Sequence, residues 1–211
     1  MRVLIATTVA AVGVLAATAG AATQATLSIA ANPTVVVYGK TTVVSGTLSP
    51  AKANQNVTVQ GQECGKANYA KVATVKTNTS GGYTTTATPT VATNYQARQK
   101  GLVSSAVAVK VQPVVQLIRV ARGSFTAKVT AGQSLTSKTI LFQRYSKLKR
   151  RWLNVKKVTL TTATAGTPKP TTVTSASFKS KVARRVRVRL VFTTAQAAPC
   201  YIAAKSNVVR A

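Results

Sequence analysis

The side chains with the most chemistry to offer are arginines. Arg185-Val186-Arg187-Val188-Arg189-Leu190 alternates cation and aliphatic residue without a break. Successive side chains of a strand point to opposite faces. The spacing therefore predicts Arg185, Arg187 and Arg189 on one face, about 6.6–6.8 Å apart, with Val186, Val188 and Leu190 turned toward a core. Guanidinium groups donate paired hydrogen bonds to phosphate and carboxylate. A second cluster, Lys147-Leu148-Lys149-Arg150-Arg151, falls between two strand-like runs and is expected at an exposed hairpin tip, suited to electrostatic capture. Runs of this kind also serve as solvated faces that keep a protein soluble, so binding and solubility both stand as readings. Tyr145 and Trp152 flank the tip. An aromatic ring beside cations can stack on a base or a sugar; the internal repeat described below assigns Trp152 to the core instead, and Tyr145 stays open.

What the chain lacks excludes most other chemistry. Its 211 residues include 29 Lys and Arg, one acidic residue (Glu63), two Cys and no His, for a formal net charge of +28. Enzymatic proton transfer is mostly done by His, Asp or Glu at a tuned pKa, and metal sites use the same types plus Cys. No catalytic triad, carboxylate pair or metal cage can be assembled from this set. Ser/Lys chemistry is formally available, but no nucleophile turn or partner spacing points to it. The expectation is a non-enzyme with no catalytic residues, no cofactor, no metal and no small-molecule substrate. A polycation binds polyanions. With 45 % hydrophobic residues, the chain is too apolar for a disordered basic tail.

Met1-Arg2, an apolar stretch from Val3 to Ala17, and Ala19-Gly20-Ala21 read as a signal peptide over residues 1–21. The uninterrupted apolar part is shorter than the roughly 20 residues a bilayer requires. The mature chain is thus expected to be secreted, extracellular or associated with the cell wall, without a transmembrane segment. The remainder is rich in Thr and Val and shows no helical period. Short runs alternate between turn signals, as half-buried strands do. In the first half these are Thr34–Tyr38, Thr42–Leu48, Asn56–Gln62, Tyr69–Lys76, Tyr83–Thr88, Asn94–Gln99 and Ser105–Val111; in the second, Thr172–Lys179, Arg185–Phe192 and Tyr201–Arg210.

Setting Gln60 on Gln143, an offset of 83 residues, also puts Val59 on Phe142, Tyr69 on Trp152, Val72 on Val155 and Val75 on Val158. The repeat predicts two like domains, 22–113 and 114–211, each an immunoglobulin-like β-sandwich of about seven strands. The junction Val111-Gln112-Pro113-Val114-Val115 has no Gly/Ser linker, so the two are expected end to end with limited flexibility. Tyr38-Gly39, Val44-Ser45-Gly46-Thr47-Leu48, Val57-Thr58-Val59-Gln60, Val72-Ala73-Thr74-Val75, Gly82-Tyr83 and Thr93-Asn94-Tyr95 together resemble the bacterial Ig-like repeat domains of secreted actinobacterial proteins. Val129, Ile140–Arg144, Trp152, Val155 and Val186-Arg187-Val188 resemble a divergent copy. The resemblance covers nearly all of the mature chain. It implies a mostly non-catalytic surface, spacer or adhesion module and carries over no functional residues.

The charge is uneven. Residues 22–113 hold eight Lys/Arg and residues 114–211 hold twenty, so the second half is expected to do the binding. The expected partners are anionic cell-wall polymers or acidic lipid headgroups, with sequence-nonspecific nucleic acid as the alternative. Two cysteines in an exported chain suggest a disulfide. Strand parity places Cys64 and Cys200 at the pole where the halves meet and predicts that they pair; two free thiols or a bond between chains are the alternatives.

Overall fold

The computed structural model describes residues 24–211; the expected signal peptide lies outside them. Stiff β-branched side chains favour a pleated backbone, and the described chain is almost entirely strand and loop. The first half contains β1 (Thr26–Leu27), β2 (Ala30–Asn32), β3 (Val35–Val37), β4 (Thr42–Ser49), β5 (Asn56–Glu63), β6 (Ala70–Lys76), β7 (Gly82–Ala87), β8 (Thr93–Gln99), β9 (Leu102–Val103) and β10 (Val107–Gln112). The second contains β11 (Val114–Ala121), β12 (Ser124–Ala131), β13 (Thr139–Ser146), β14 (Arg151–Thr159), β15 (Thr162–Ala165), β16 (Thr172–Lys179) and β17 (Arg187–Phe192). One helical turn, α1 (Thr194–Ala197), precedes β18 (Ala204–Lys205) and β19 (Val209–Arg210).

Each half forms two sheets. In the first, β4 lies between β1/β2 and β7, facing a sheet ordered β3-β10-β8-β5-β6 with β9 on β8. In the second, β11-β12-β16-β15 faces β14-β13-β17, with β18 and β19 both on the free edge of β17. Every pairing is antiparallel except β3 with β10. The sandwich-like core lies between facing sheets, and strict alternation builds it: β12 buries Phe125, Ala127, Val129 and Ala131 while their neighbours stay partly exposed. In the first half the core is filled by valines such as Val44, Val57, Val59 and Val109. In the second half it is larger-grained, with Phe125, Phe142 and Phe178 at ring separations of 5.0–5.7 Å.

The two halves share a detailed irregularity. A β-bulge interrupts the β5–β6 ladder between Val59 and Gln60, and another interrupts β13–β14 between Phe142 and Gln143. These are the positions that the 83-residue offset superimposes. The extra residues are Val72 and Val155, left unpaired and half-exposed. A bulge inserts one residue and reverses facing beyond it. Val158 pairs with Ile140 on the buried side, whereas Trp152, beyond the bulge, pairs with Tyr145 on the outer side. Trp152 is therefore not a core residue.

Two expected strands are also shorter. Arg185 lies in a turn at φ +63°, and its amide donates to the Ala211 carbonyl (3.0 Å). Val182 tucks against the core just before it, so the chain is still crossing between sheets at Arg185 and β17 starts only at Arg187. The run Tyr201–Arg210 breaks at Ser206-Asn207. There the Asn207 amide accepts from Leu117 N (2.9 Å) and donates to Leu117 O (3.1 Å), standing in for a strand partner to β11.

Cys64 and Cys200 form a disulfide across the junction, 136 residues apart in sequence with Cα atoms 5.3 Å apart. Around it Ala92 N donates to Cys200 O (2.9 Å) and Ile202 N to Val111 O (3.0 Å). The Tyr201 hydroxyl accepts from Gly132 N (3.0 Å) and donates to Thr90 O (3.2 Å). Gly132 has to be glycine here, because a Cβ would sit 2.7 Å from the Thr90 carbonyl oxygen.

Candidate functional site

The outer face of the β14-β13-β17 sheet carries the chemistry. β13 places Gln143 and Tyr145 there, β14 places Asn154 and Trp152, and β17 places Arg189 and Arg187. Antiparallel register sets Gln143 opposite both Asn154 and Arg189, and Tyr145 opposite Trp152. The Arg187 guanidinium lies 4.4 Å from the centre of the Tyr145 ring, and that of Arg189 lies 4.1 Å from the Trp152 ring. The two rings meet edge to face at 5.5 Å. Arg189 Nε also donates to Gln143 Oε1 (2.9 Å), and Gln143 Nε2 donates to Asn154 Oδ1 (2.9 Å).

Cation over aromatic face is attractive, worth about 0.5–1 kcal/mol at exposed sites. It holds two cations flat and side by side without cancelling their charge. Partial burial pulls the Arg189 pKa below its ordinary value through desolvation, yet an arginine remains charged throughout the neutral range. Glu63, the chain's one acidic side chain, ends β5 beside Cys64 at the junction, in a sheet of the first half.

Of the three arginines expected on one face, Arg187 and Arg189 are together and Arg185 is not. Arg185 is exposed in the turn before β17. The second cluster stands where the sequence put it: Lys147, Leu148, Lys149 and Arg150 form the turn of the β13–β14 hairpin and Arg151 begins β14, all exposed. The turn is tied by Lys149 N to Ser146 Oγ (3.2 Å) and Arg150 N to Lys147 O (3.3 Å), with Arg150 at φ +47°. Sequence reading missed Gln143 and Asn154 as positioning groups and Tyr145 and Trp152 as arginine platforms. The Gln60–Gln143 match was the available signal, since Gln60 Oε1 accepts from Gln96 Nε2 (3.0 Å) in the first half just as Gln143 accepts from Arg189.

The sequence matches no protein-family model and no curated protein. Function therefore rests on the site itself. Among the described residues no group of three or more His, Cys, Asp or Glu could hold a metal ion, and no helix is long and apolar enough to cross a membrane. The arrangement can present fixed guanidiniums to an anionic chain running across the sheet, with the exposed cations of the hairpin tip at one end of the track.

Proposed function

We propose that this chain is an exported, non-catalytic binding or structural module. In this reading residues 22–113 and 114–211 are tandem immunoglobulin-like sandwiches following a signal peptide at 1–21. The second holds the protein electrostatically to anionic envelope polymers such as teichoic or uronic chains. Support for the architecture comes from the matching bulges in the two halves and from the first chain segment, which moves from one sheet (β2) to the other (β3).

The observation that carries the binding reading is the pair Arg187 and Arg189, held over Tyr145 and Trp152 with no carboxylate against them. Their counter-charge has to come from a ligand or from solvent ions. A phosphate or carboxylate polymer supplies repeated charges that two arginines on alternate positions of one strand can meet together. Nucleic acid is the alternative partner and would bind chiefly through phosphates, because each of the two rings already has a guanidinium over one face. Co-sedimentation with purified cell walls at rising salt tests the proposal. Release as salt screens the attraction is expected; retention in molar salt would overturn it. Competition between DNA and a phosphate-free uronate polymer separates the two partners, and preferential displacement by DNA would favour the alternative.

A further inference from the structure

The pole of the second half that lies away from the junction has a character of its own. β13 starts at Thr139, whose amide donates to Gln196 Oε1 (2.8 Å) near Cys200, and its seven-residue advance carries the hairpin tip about 23 Å away from that end. Two other loops arrive at the same far pole. The β11–β12 turn and the segment after β16 are joined by Ser180 N donating to Gly123 O (2.9 Å), and Arg122, Lys179 and Lys181 line one open cleft there. The turn carrying Arg184 and Arg185 follows directly and leads into β17 at Arg187, next to Tyr145. Three loops thus bring exposed cations to this pole of the second half, while Glu63 sits at the junction, beside Cys64.

Charge alone does not account for what lies among these cations. Leu148, at the turn, is 93 % exposed, and Val120, at the end of β11, is 68 % exposed. They are the two most exposed large hydrophobic residues among the described residues, and both are at this pole. Leu148 is flanked by Lys147 and Lys149, and Val120 by Arg119 and Ala121 with Arg122 beyond. Just behind the tip, the Tyr145–Trp152 pair is the last cross-strand pair on the outer face before the turn.

We infer that this pole docks onto an acidic lipid surface, with Leu148 and Val120 entering the headgroup–acyl boundary and the surrounding Lys and Arg meeting anionic headgroups. A soluble polyanion gains nothing from an exposed leucine, whereas a lipid surface removes it from water. Basic residues near an acidic leaflet each add attraction, and aromatic rings favour the interfacial depth. Long Lys and Arg stems can lie along the apolar layer while their charges stay at the headgroups. The first half would then point away from the membrane. The inference rests on the electrostatic reading proposed above but centres on the pole beyond that face, with the hairpin tip common to both, and names a lipid partner for it.

The test uses the processed chain beginning at Ala22, so that residues 1–21 cannot contribute. Flotation with phosphatidylglycerol vesicles should recover the protein, and phosphatidylcholine vesicles should not. Leu148→Ser combined with Val120→Ser should weaken phosphatidylglycerol binding about tenfold or more, while leaving binding to soluble polyphosphate unchanged. The substituted side chains are exposed, so an unchanged thermal midpoint is expected and shows that the variant folds. Failure to float with phosphatidylglycerol vesicles, or equal flotation of wild type and variant, overturns the inference. Salt-sensitive co-sedimentation with cell walls in that same event would leave the polymer reading standing, so the two fail separately.

Discussion

The guanidinium of Arg189 lies 4.1 Å above the centre of the Trp152 ring, although the two belong to strands that do not pair with each other. β13 runs between them, and the arginine reaches across it while its Nε is held by Gln143 on that middle strand. Trp152 is the only tryptophan in the chain, so this contact can be followed by its fluorescence. Arg189→Gln should expose the indole to a soluble quencher, lower stability by about 1 kcal/mol, and weaken wall binding. Arg189→Lys keeps the charge and loses the planar contact; it should restore part of the binding but not the quencher protection.

The hairpin tip and the arginine pair make separable contributions. Neutralising Lys147, Lys149, Arg150 and Arg151 to glutamine should flatten the salt dependence of polymer binding, because fewer counterions are displaced. Thermal stability should stay within about 0.5 kcal/mol of wild type, as for other exposed substitutions. A steep loss of fold stability in this variant would mean the tip is structural.

With no histidine in the chain, no side chain with an ordinary pKa titrates between about pH 5.5 and 8.5. Binding to a strong-acid polymer such as polyphosphate should therefore be flat across that interval while falling with salt. A bell-shaped or stepped profile measured by titration calorimetry would contradict the assignment of binding to arginine and lysine.

Burial pushes the phenols of Tyr83, Tyr95 and Tyr201 up to about 12 from their ordinary value of 10.0. In the unfolded chain they ionise at about 10. A group whose folded pKa is raised contributes stability that is complete below the unfolded value and is lost as pH climbs through the folded one. Stability should thus decline from about pH 10 toward 12 on this account. Tyrosinate absorbance for these three should appear together with loss of the strand circular-dichroism signal.

Two variants test the frame that carries the site. Removing the junction disulfide with Cys64→Ala and Cys200→Ala frees a loop of 136 residues, for which the chain-entropy relation gives about 5 kcal/mol; a large drop in the urea midpoint is expected. At Gly46, an added Cβ would run into Ser28 O and the Tyr83 ring, whose hydroxyl donates to that same carbonyl. Gly46→Ala should cost about 1–3 kcal/mol, read as a lower thermal midpoint with no effect on the distant cationic pole.

Local pattern carried much of this protein. Alternation of Val and Thr between turn residues was enough to place β4, β5, β8 and β16, because a one-face-buried strand writes its period into the sequence. The cationic character of the second half, the exposure of the Lys147–Arg151 tip and the Cys64–Cys200 pairing also followed from residue type, charge count and strand parity. The outer-face pair was not legible. Period two carried across β14 from Val158 points Trp152 inward, and only the bulge at Val155, formed against β13, turns it outward onto Arg189. Arg185 was misplaced for a related reason: its alternation with Val186 continues that of β17, but the chain is still crossing between sheets there. Bulges and crossings are set by what the neighbouring strand and the opposite sheet require, and those partners are distant in sequence. Residue types alone determined that this chain carries a large cationic excess with one acidic side chain against it; which cations stand together, and which apolar residues stand among them, was decided by strand neighbours that only the tertiary structure supplies.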